Sequence, residues 1–297
     1  RIKVGRVKAA LILASTPFMI AFSRIVIFDM TLTFLVSLSL FGFWGLERSR
    51  FQKVRYSLLF FGSMGLATIT KGPVGFLLPL LTIFTYLGFL GRWKDLRRLH
   101  WGPGLIVFIA MALPWFLAVS WQNPDFPRYA FLDESLLRFT TGSARRSGPL
   151  YYYIPVLLLG FLPWSLFLFS AYLGRWRKYQ NLRKSEKQPL LFVVCWAAVV
   201  LIFFTISQSK LPGYILPAFT PMSLLAARLW DKWSSAEKGL PPPRWLTRGF
   251  WALFGLGLLV LFSSWGLQLG IGPSQARLME KMGPKVASGL SQLLFSW

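Results

Sequence analysis

Charged side chains are scarce along this chain, and those that interrupt its apolar stretches are of kinds that handle protons and anions. Asp29, in SRIVIFDMTLTFL, opens an apolar run. It reads as an interfacial carboxylate, paired with nearby Arg24 or favoured by the positive end of a helix. It reads equally as a general base or a group that orients an acceptor, because an ionisable residue at membrane depth is functional by default. Lys71 is the only charged residue between Ser57 and Leu90. At a bilayer centre it would cost roughly 2.5–3.5 kcal/mol. It stands in TITKGPVG, where Gly72 and Pro73 end one helix and Gly75 permits close backbone approach. Either its ammonium snorkels to the interface, or it is held as a point charge for a phosphate.

Two more segments carry such groups. In FLDESLLRF, Glu134 and Arg138 lie four residues apart with the acid first. That is the favourable order for a helix-surface salt bridge, and it also suits a lid helix whose Arg138 grips a phosphate bidentately. Arg145 and Arg146 follow, and Tyr151, Tyr152 and Tyr153 open the next apolar run. In SQSKLPGYILP, Lys210 and Tyr214 are four apart, but Pro212 and Gly213 favour an extended turn over continuous helix. Two lysines, each in a glycine/proline turn, suggest a shared anionic ligand. No nucleophile–histidine pair, P-loop or dinucleotide fingerprint is present. The one cysteine, Cys195, and the one histidine, His100, allow neither an internal disulfide nor a Cys/His metal cluster. Cys195 reads as a small core residue and His100 as a solvated loop residue. No cofactor is called for; a divalent cation is left open, since a single histidine argues only against a His-rich site.

The elements that must position these groups are membrane helices. Of 297 residues, 55% are hydrophobic and only 14% charged, against about 25% charged in soluble domains. The apolar runs are about 15–23 residues long, enough to cross roughly 30 Å of hydrocarbon. They predict an all-α, polytopic helical bundle with about nine spans, near 9–23, 30–46, 56–69, 74–90, 104–121, 151–173, 190–206, 212–229 and 249–270. Tryptophans such as Trp44, Trp93, Trp121 and Trp164 fall near span ends, as an interfacial belt should.

The formal charge of +23 comes from short clusters between the runs, not from a stripe that would bind nucleic acid. Alternate connections hold 22 and 7 lysines and arginines. The richer set is expected in the cytoplasm and the other set on the outer side. Asp29, Lys71, the 121–150 loop with its short helix, and Lys210 then all face outward. This inventory fits a lipid-phosphate substrate. A transporter or flippase for a lipid-linked or anionic solute is the alternative, but it should carry its charges near the midplane, often in related halves. Here the charges gather at the rim and no internal repeat is visible.

Taken in order, Asp29–Met30, TKGPVG, LPWFLAVSWQNPDFPRYAF, ESLLRF, PLYYYIPVLLLGFLPW and SKLPGYILP resemble the polyprenyl-phosphate-sugar-dependent glycosyltransferases of the GT-C superfamily. The resemblance extends over residues 24 to about 230. It takes in the protein O-mannosyltransferases and, more closely, the bacterial aminoarabinose transferases that modify lipid A. It implies transfer of a sugar from an isoprenoid (undecaprenyl) phosphate carrier to a lipid or protein acceptor outside the bacterial cytoplasmic membrane, the location it implies for the chain. It also implies that Asp29 is an active-site aspartate, and that Lys71, Arg138, Lys210 and Tyr214, with Glu134 beside them, line the donor-phosphate cavity. Members of the family carry an earlier span and a large first outward loop with a further acidic motif, which residues 1–23 do not supply. With its start at Arg1 and its end in LLFSW, the chain is expected to be a piece of a longer protein. Ser135 stands where the aminoarabinose branch often has histidine.

Overall fold

The computed structural model describes residues 2–49, 53–130, 148–169, 184–234 and Gly255. The first apolar stretch is not one helix but two, α1 (Ile2–Ala14) and α2 (Pro17–Ser23), bent by 64°. Pro17 lacks the N–H that would continue the ladder yet suits a first helical turn. The hydroxyls of Ser15 and Thr16 donate back to the carbonyls of Ile12 and Leu13, at 3.0 and 2.8 Å. There follow α3 (Phe28–Arg48), α4 (Lys53–Lys71), α5 (Val74–Phe89) and α6 (Trp101–Gln122). After the 131–147 segment, which lies outside the described residues, come α7 (Tyr153–Gly160), α8 (Lys184–Ile206) and α9 (Leu216–Ser234).

The bundle is assembled by close helix crossings. α4 lies between α3 and α6, and α9 packs on α1, α3 and α8. Gly42 lets α3 approach α4 so closely that a Cβ there would sit 2.8 Å from the Phe60 nitrogen. At the same crossing the Ser39 hydroxyl donates to the Phe60 carbonyl at 3.0 Å. Small residues at such interfaces replace the hydrophobic drive that lipid cannot supply. The aromatic content fills the interior: Phe60, Phe61, Tyr86, Trp196 and Phe219 are fully buried. Cys195 is buried in this core, as expected. His100 caps α6 from a left-handed backbone conformation, φ 50°. Along α6, by contrast, Ile106, Met111, Trp115 and Leu117 are exposed and only Gly104 and Ala112 are buried. A helix with that much exposed apolar surface faces lipid.

Among the described residues, α3, α6 and Lys187–Ile206 are long and apolar enough to cross a membrane, and the bent α1–α2 pair makes a fourth candidate. Val74–Phe89 and Leu150–Gly160 are shorter apolar helices. The polytopic helical architecture therefore stands, while the count of about nine is not reached here. The expected span at 249–270 lies, but for Gly255, outside the described residues. Because the helices run back and forth, the end of α2, the start of α3, the end of α4, the start of α7 and the α8–α9 turn share one end of the bundle.

Candidate functional site

At that end α4 finishes on Lys71, and Gly72 takes φ 66°, a left-handed conformation that glycine adopts without strain. The Gly72 N–H bonds the Thr68 carbonyl at 2.8 Å, closing the helix, and Pro73 starts α5. Gly75 then packs directly on the Ala67 carbonyl. The TITKGPVG turn thus holds the Lys71 side chain at a rigid helix end. Its ammonium forms an ion pair with Asp29, in the first turn of α3. Both charges suit their helix ends, the acid at an N-terminus and the base at a C-terminus. The Asp29 side chain is 7% exposed and that of Lys71 25%, so the pair is enclosed on the acid's side and open on the lysine's.

The α8–α9 turn completes the junction. Pro212–Ile215 is a short 3-10 turn leading into α9, not the extended turn expected from its Pro–Gly pair; the extended backbone lies one residue earlier, at Leu211. It lays the buried Tyr214 ring under the Lys71 ammonium, 4.1 Å from centroid to nitrogen. Phe204 packs against that ring, centroids 5.2 Å apart. A Cβ on Gly213 would sit 2.7 Å from Asp29 Oδ2 and 2.6 Å from Phe22. Only a glycine lets this turn lie against the carboxylate.

Lys210 stands in the same turn but does different work here. It is 5% exposed, and its ammonium donates to the carbonyls of Thr205 and Ser207 at 2.8 and 2.6 Å. These are groups that the end of α8 leaves unsatisfied. Burial lowers its pKa. Gly148 lies against its stem, where a Cβ would be 3.2 Å from the Lys210 Cδ. Asp29, Lys71 and Tyr214 are therefore brought together, while Lys210, in the same α8–α9 turn as Tyr214, bonds backbone carbonyls instead. Glu134, Arg138, Arg145 and Arg146 lie outside the described residues.

The sequence does not set Tyr153 apart from its neighbours Tyr151 and Tyr152. Tyr151 is 66% exposed, but Tyr153 is 3% exposed and lies within electrostatic reach of Asp29 and Tyr214. Its hydroxyl is enclosed beside the Leu211 backbone and makes no close hydrogen bond among the described residues. Helical periodicity was the available signal, since consecutive residues at a helix start cannot all face lipid.

The opposite end has charges too, arranged differently. Arg92 meets Glu47 with both terminal guanidinium nitrogens, at 2.9 and 3.0 Å, and Asp95 with Nε at 2.6 Å. Burial would lower its pKa, but the hydrogen bonds it donates to Glu47 and Asp95 outweigh that and raise it. This is a closed brace between α3 and the turn after α5. Among the described residues, no three His, Cys, Asp or Glu side chains gather as metal ligands would.

Residues 7–130 match the family described as dolichyl-phosphate-mannose-protein mannosyltransferase. The undecaprenyl phosphate-alpha-4-amino-4-deoxy-L-arabinose arabinosyl transferase of Erwinia tasmaniensis is 32% identical over 81% of this chain and 43% of its own length. The enzyme of the same name from Yersinia pestis is 35% identical over 59% of this chain and 31% of its length. The crystal structure of ArnT from Cupriavidus metallidurans bound to undecaprenyl phosphate superposes with a TM-score of 0.71 at 30% identity. That superposition covers 90% of this chain and 46% of ArnT. The apo ArnT structure gives 0.65 at 27% identity. Over most of its length the chain is similar to polyprenyl-phosphate-sugar glycosyltransferases of the GT-C type. It spans less than half the length of the relatives it matches. The stretch that matches the mannosyltransferase family takes in Asp29 and Lys71, while the structural likeness extends over nine-tenths of the chain.

Proposed function

We propose that this chain forms the donor-phosphate side of an active site that moves a sugar from a polyprenyl (undecaprenyl) phosphate carrier to an acceptor at the outer face of the cytoplasmic membrane. The observation that carries this reading is the Asp29–Lys71–Tyr214 junction, where an enclosed carboxylate and a half-open ammonium share one end of a lipid-embedded bundle. A phosphate ester arriving there competes with Asp29 for the lysine. The ammonium turns to the phosphate as the sugar–phosphate C–O bond breaks and charge grows on the leaving oxygens. An aligned cation in a water-poor site is worth most at that moment. Asp29, released from its partner, orients the acceptor oxygen and takes its proton as the new glycosidic bond forms. The Tyr214 ring keeps the ammonium in place throughout, because a π-face attracts a cation without neutralising it.

Lys210 and Arg138 are proposed as further donor-phosphate contacts, with Glu134 positioning Arg138. Lys210 would have to exchange its two backbone carbonyls for the phosphate. The relatives named for aminoarabinose transfer favour an aminopentose on undecaprenyl phosphate as donor; lipid A is the proposed acceptor. The outward loop 121–150 would then close over the donor. The reading is tested in membranes carrying the full-length protein, by following sugar from an undecaprenyl-phosphate donor onto lipid A. Label should reach lipid A only when the protein and the polyprenyl donor are both present. Transfer from a soluble nucleotide sugar alone would overturn the assignment.

A further inference from the structure

At the end of the bundle away from the Asp29–Lys71 junction, a cavity of about 710 Å³ opens between α1, α3, α8 and α9. Pockets that enclose small molecules are roughly 300–1,000 Å³. Its wall is apolar and aromatic, built from Leu13, Phe41, Trp44, Phe192, Val193 and Leu224. Trp44 stacks on Phe192 with centroids 5.0 Å apart, so that wall is rigid. The inner limit is polar: Thr220 lines the cavity and accepts a hydrogen bond from Ser37 at 3.0 Å.

Two of the lining side chains are arginines, Arg6 near the start of α1 and Arg228 towards the end of α9. Both lie at the end of the bundle where Tyr56 and Pro189 also reach the cavity. From Thr220 to Arg228 the helix rises about 12 Å, close to the half-thickness of a hydrocarbon core of roughly 30 Å. The nearby carboxylate, Asp231, already accepts from Lys8 at 2.7 Å, and Arg48 lies over the Trp44 ring at 4.8 Å. Among these described residues Arg6, Lys8, Arg48 and Arg228 outnumber Asp231, so positive charge predominates at the mouth of an apolar slot one leaflet deep.

We propose that this cavity binds an anionic glycerophospholipid of the inner leaflet, one acyl chain against Phe41, Trp44 and Phe192 and its phosphate at Arg6 and Arg228. Guanidinium groups match phosphate oxygens in a bidentate fork. Basic pockets between membrane helices on the cytoplasmic side are suited to anionic headgroups. A zwitterionic lipid would bring its own cation to the arginines and lose that match. The inner-leaflet assignment rests on the orientation proposed above, whereas the ligand class rests on the cavity alone.

Native mass spectrometry of the full-length protein released from vesicles tests this, using phosphatidylglycerol and phosphatidylcholine in equal amounts. The wild type should retain one phosphatidylglycerol with roughly tenfold preference over phosphatidylcholine, about 1.4 kcal/mol. The Arg6→Ala/Arg228→Ala protein should lose the preference, and Arg6→Lys/Arg228→Lys should keep part of it. Ala10→Phe, which fills the slot and leaves both arginines, should prevent retention; it carries the test if the alanine pair fails to insert. Equal retention of the two lipids, no retained lipid in the wild type, or retention unchanged in Ala10→Phe would each overturn the proposal. The readout is mass, so it is independent of whether sugar transfer is observed.

Discussion

Asp29 and Lys71 satisfy each other, and an ion pair that merely braces two helices would look the same in an empty site. Stability and activity separate the two cases. Lys71→Met leaves the enclosed carboxylate without its cation, and Asp29→Asn leaves the ammonium without its anion. For a fully buried pair such a loss is about 3–5 kcal/mol. Water reaches the quarter-exposed lysine, so about 1–3 kcal/mol is expected. In the double variant the two penalties should largely cancel, and thermal unfolding in detergent should return most of the way to wild type. Transfer should not return, because a phosphate ligand and an acceptor base are both gone. Recovery of transfer along with stability would mark the pair as a brace. Tyr214 gives a finer probe. Tyr214→Phe keeps the ring under the ammonium and Tyr214→Leu removes it. The leucine variant should lose about 1–2 kcal/mol of transition-state stabilisation, roughly a five- to thirtyfold fall in kcat/KM. If the phenylalanine variant falls as far, the hydroxyl rather than the π-face is the working group.

At the scale of elements, the turns were the most legible part of the chain. TKGPVG and KLPGY announce themselves through glycine and proline, and both become tight turns carrying the residues that meet. What periodicity could not show was pairing across the bundle. Nothing local in SRIVIFDMTLTFL distinguishes Lys71 from Arg24 as the partner of Asp29; that depends on the α3–α4 crossing set by Gly42 and Ser39. This yields a prediction. Gly42→Ala places a methyl group 2.8 Å from the backbone of Phe60 and should push α3 from α4. A displacement of about 1 Å at the junction can cost on the order of a hundredfold in rate. Gly62→Ala meets only Val107 at 3.4 Å, an ordinary contact, and should leave transfer within about twofold, an energy of roughly 0.4 kcal/mol. Equal effects in the two variants would contradict a geometric role for that crossing. Likewise the 64° break between α1 and α2 follows from Pro17, but run length alone had merged the two helices into one span.

Over the whole molecule, composition and basic-residue alternation gave the fold class, because lipid leaves few options for burying so much apolar surface. Counting spans by run length was less secure, since charged helix ends and internal prolines lower the hydropathy of helices that still belong to the bundle. The orientation is testable directly. Val26 is fully exposed in the α2–α3 connection, beside Asp29, and Lys94 is exposed in the turn after α5 at the other end. Cys195 is buried and should stay silent. In intact cells stripped of outer membrane, Val26→Cys should react with a membrane-impermeant maleimide, and Lys94→Cys should react only after the membrane is opened. The reverse pattern would put the junction in the cytoplasm and remove the proposed acceptor side.

The central claim is that the Lys71–Asp29 junction is where the sugar leaves its lipid phosphate. It is met most directly by measuring sugar transfer from undecaprenyl phosphate in membranes with matched amounts of full-length wild type, Lys71→Ala and Asp29→Asn. Each variant should lose at least about a hundredfold in transfer, an energy of roughly 2.7 kcal/mol, with insertion unchanged. Wild-type rates in both variants would contradict it.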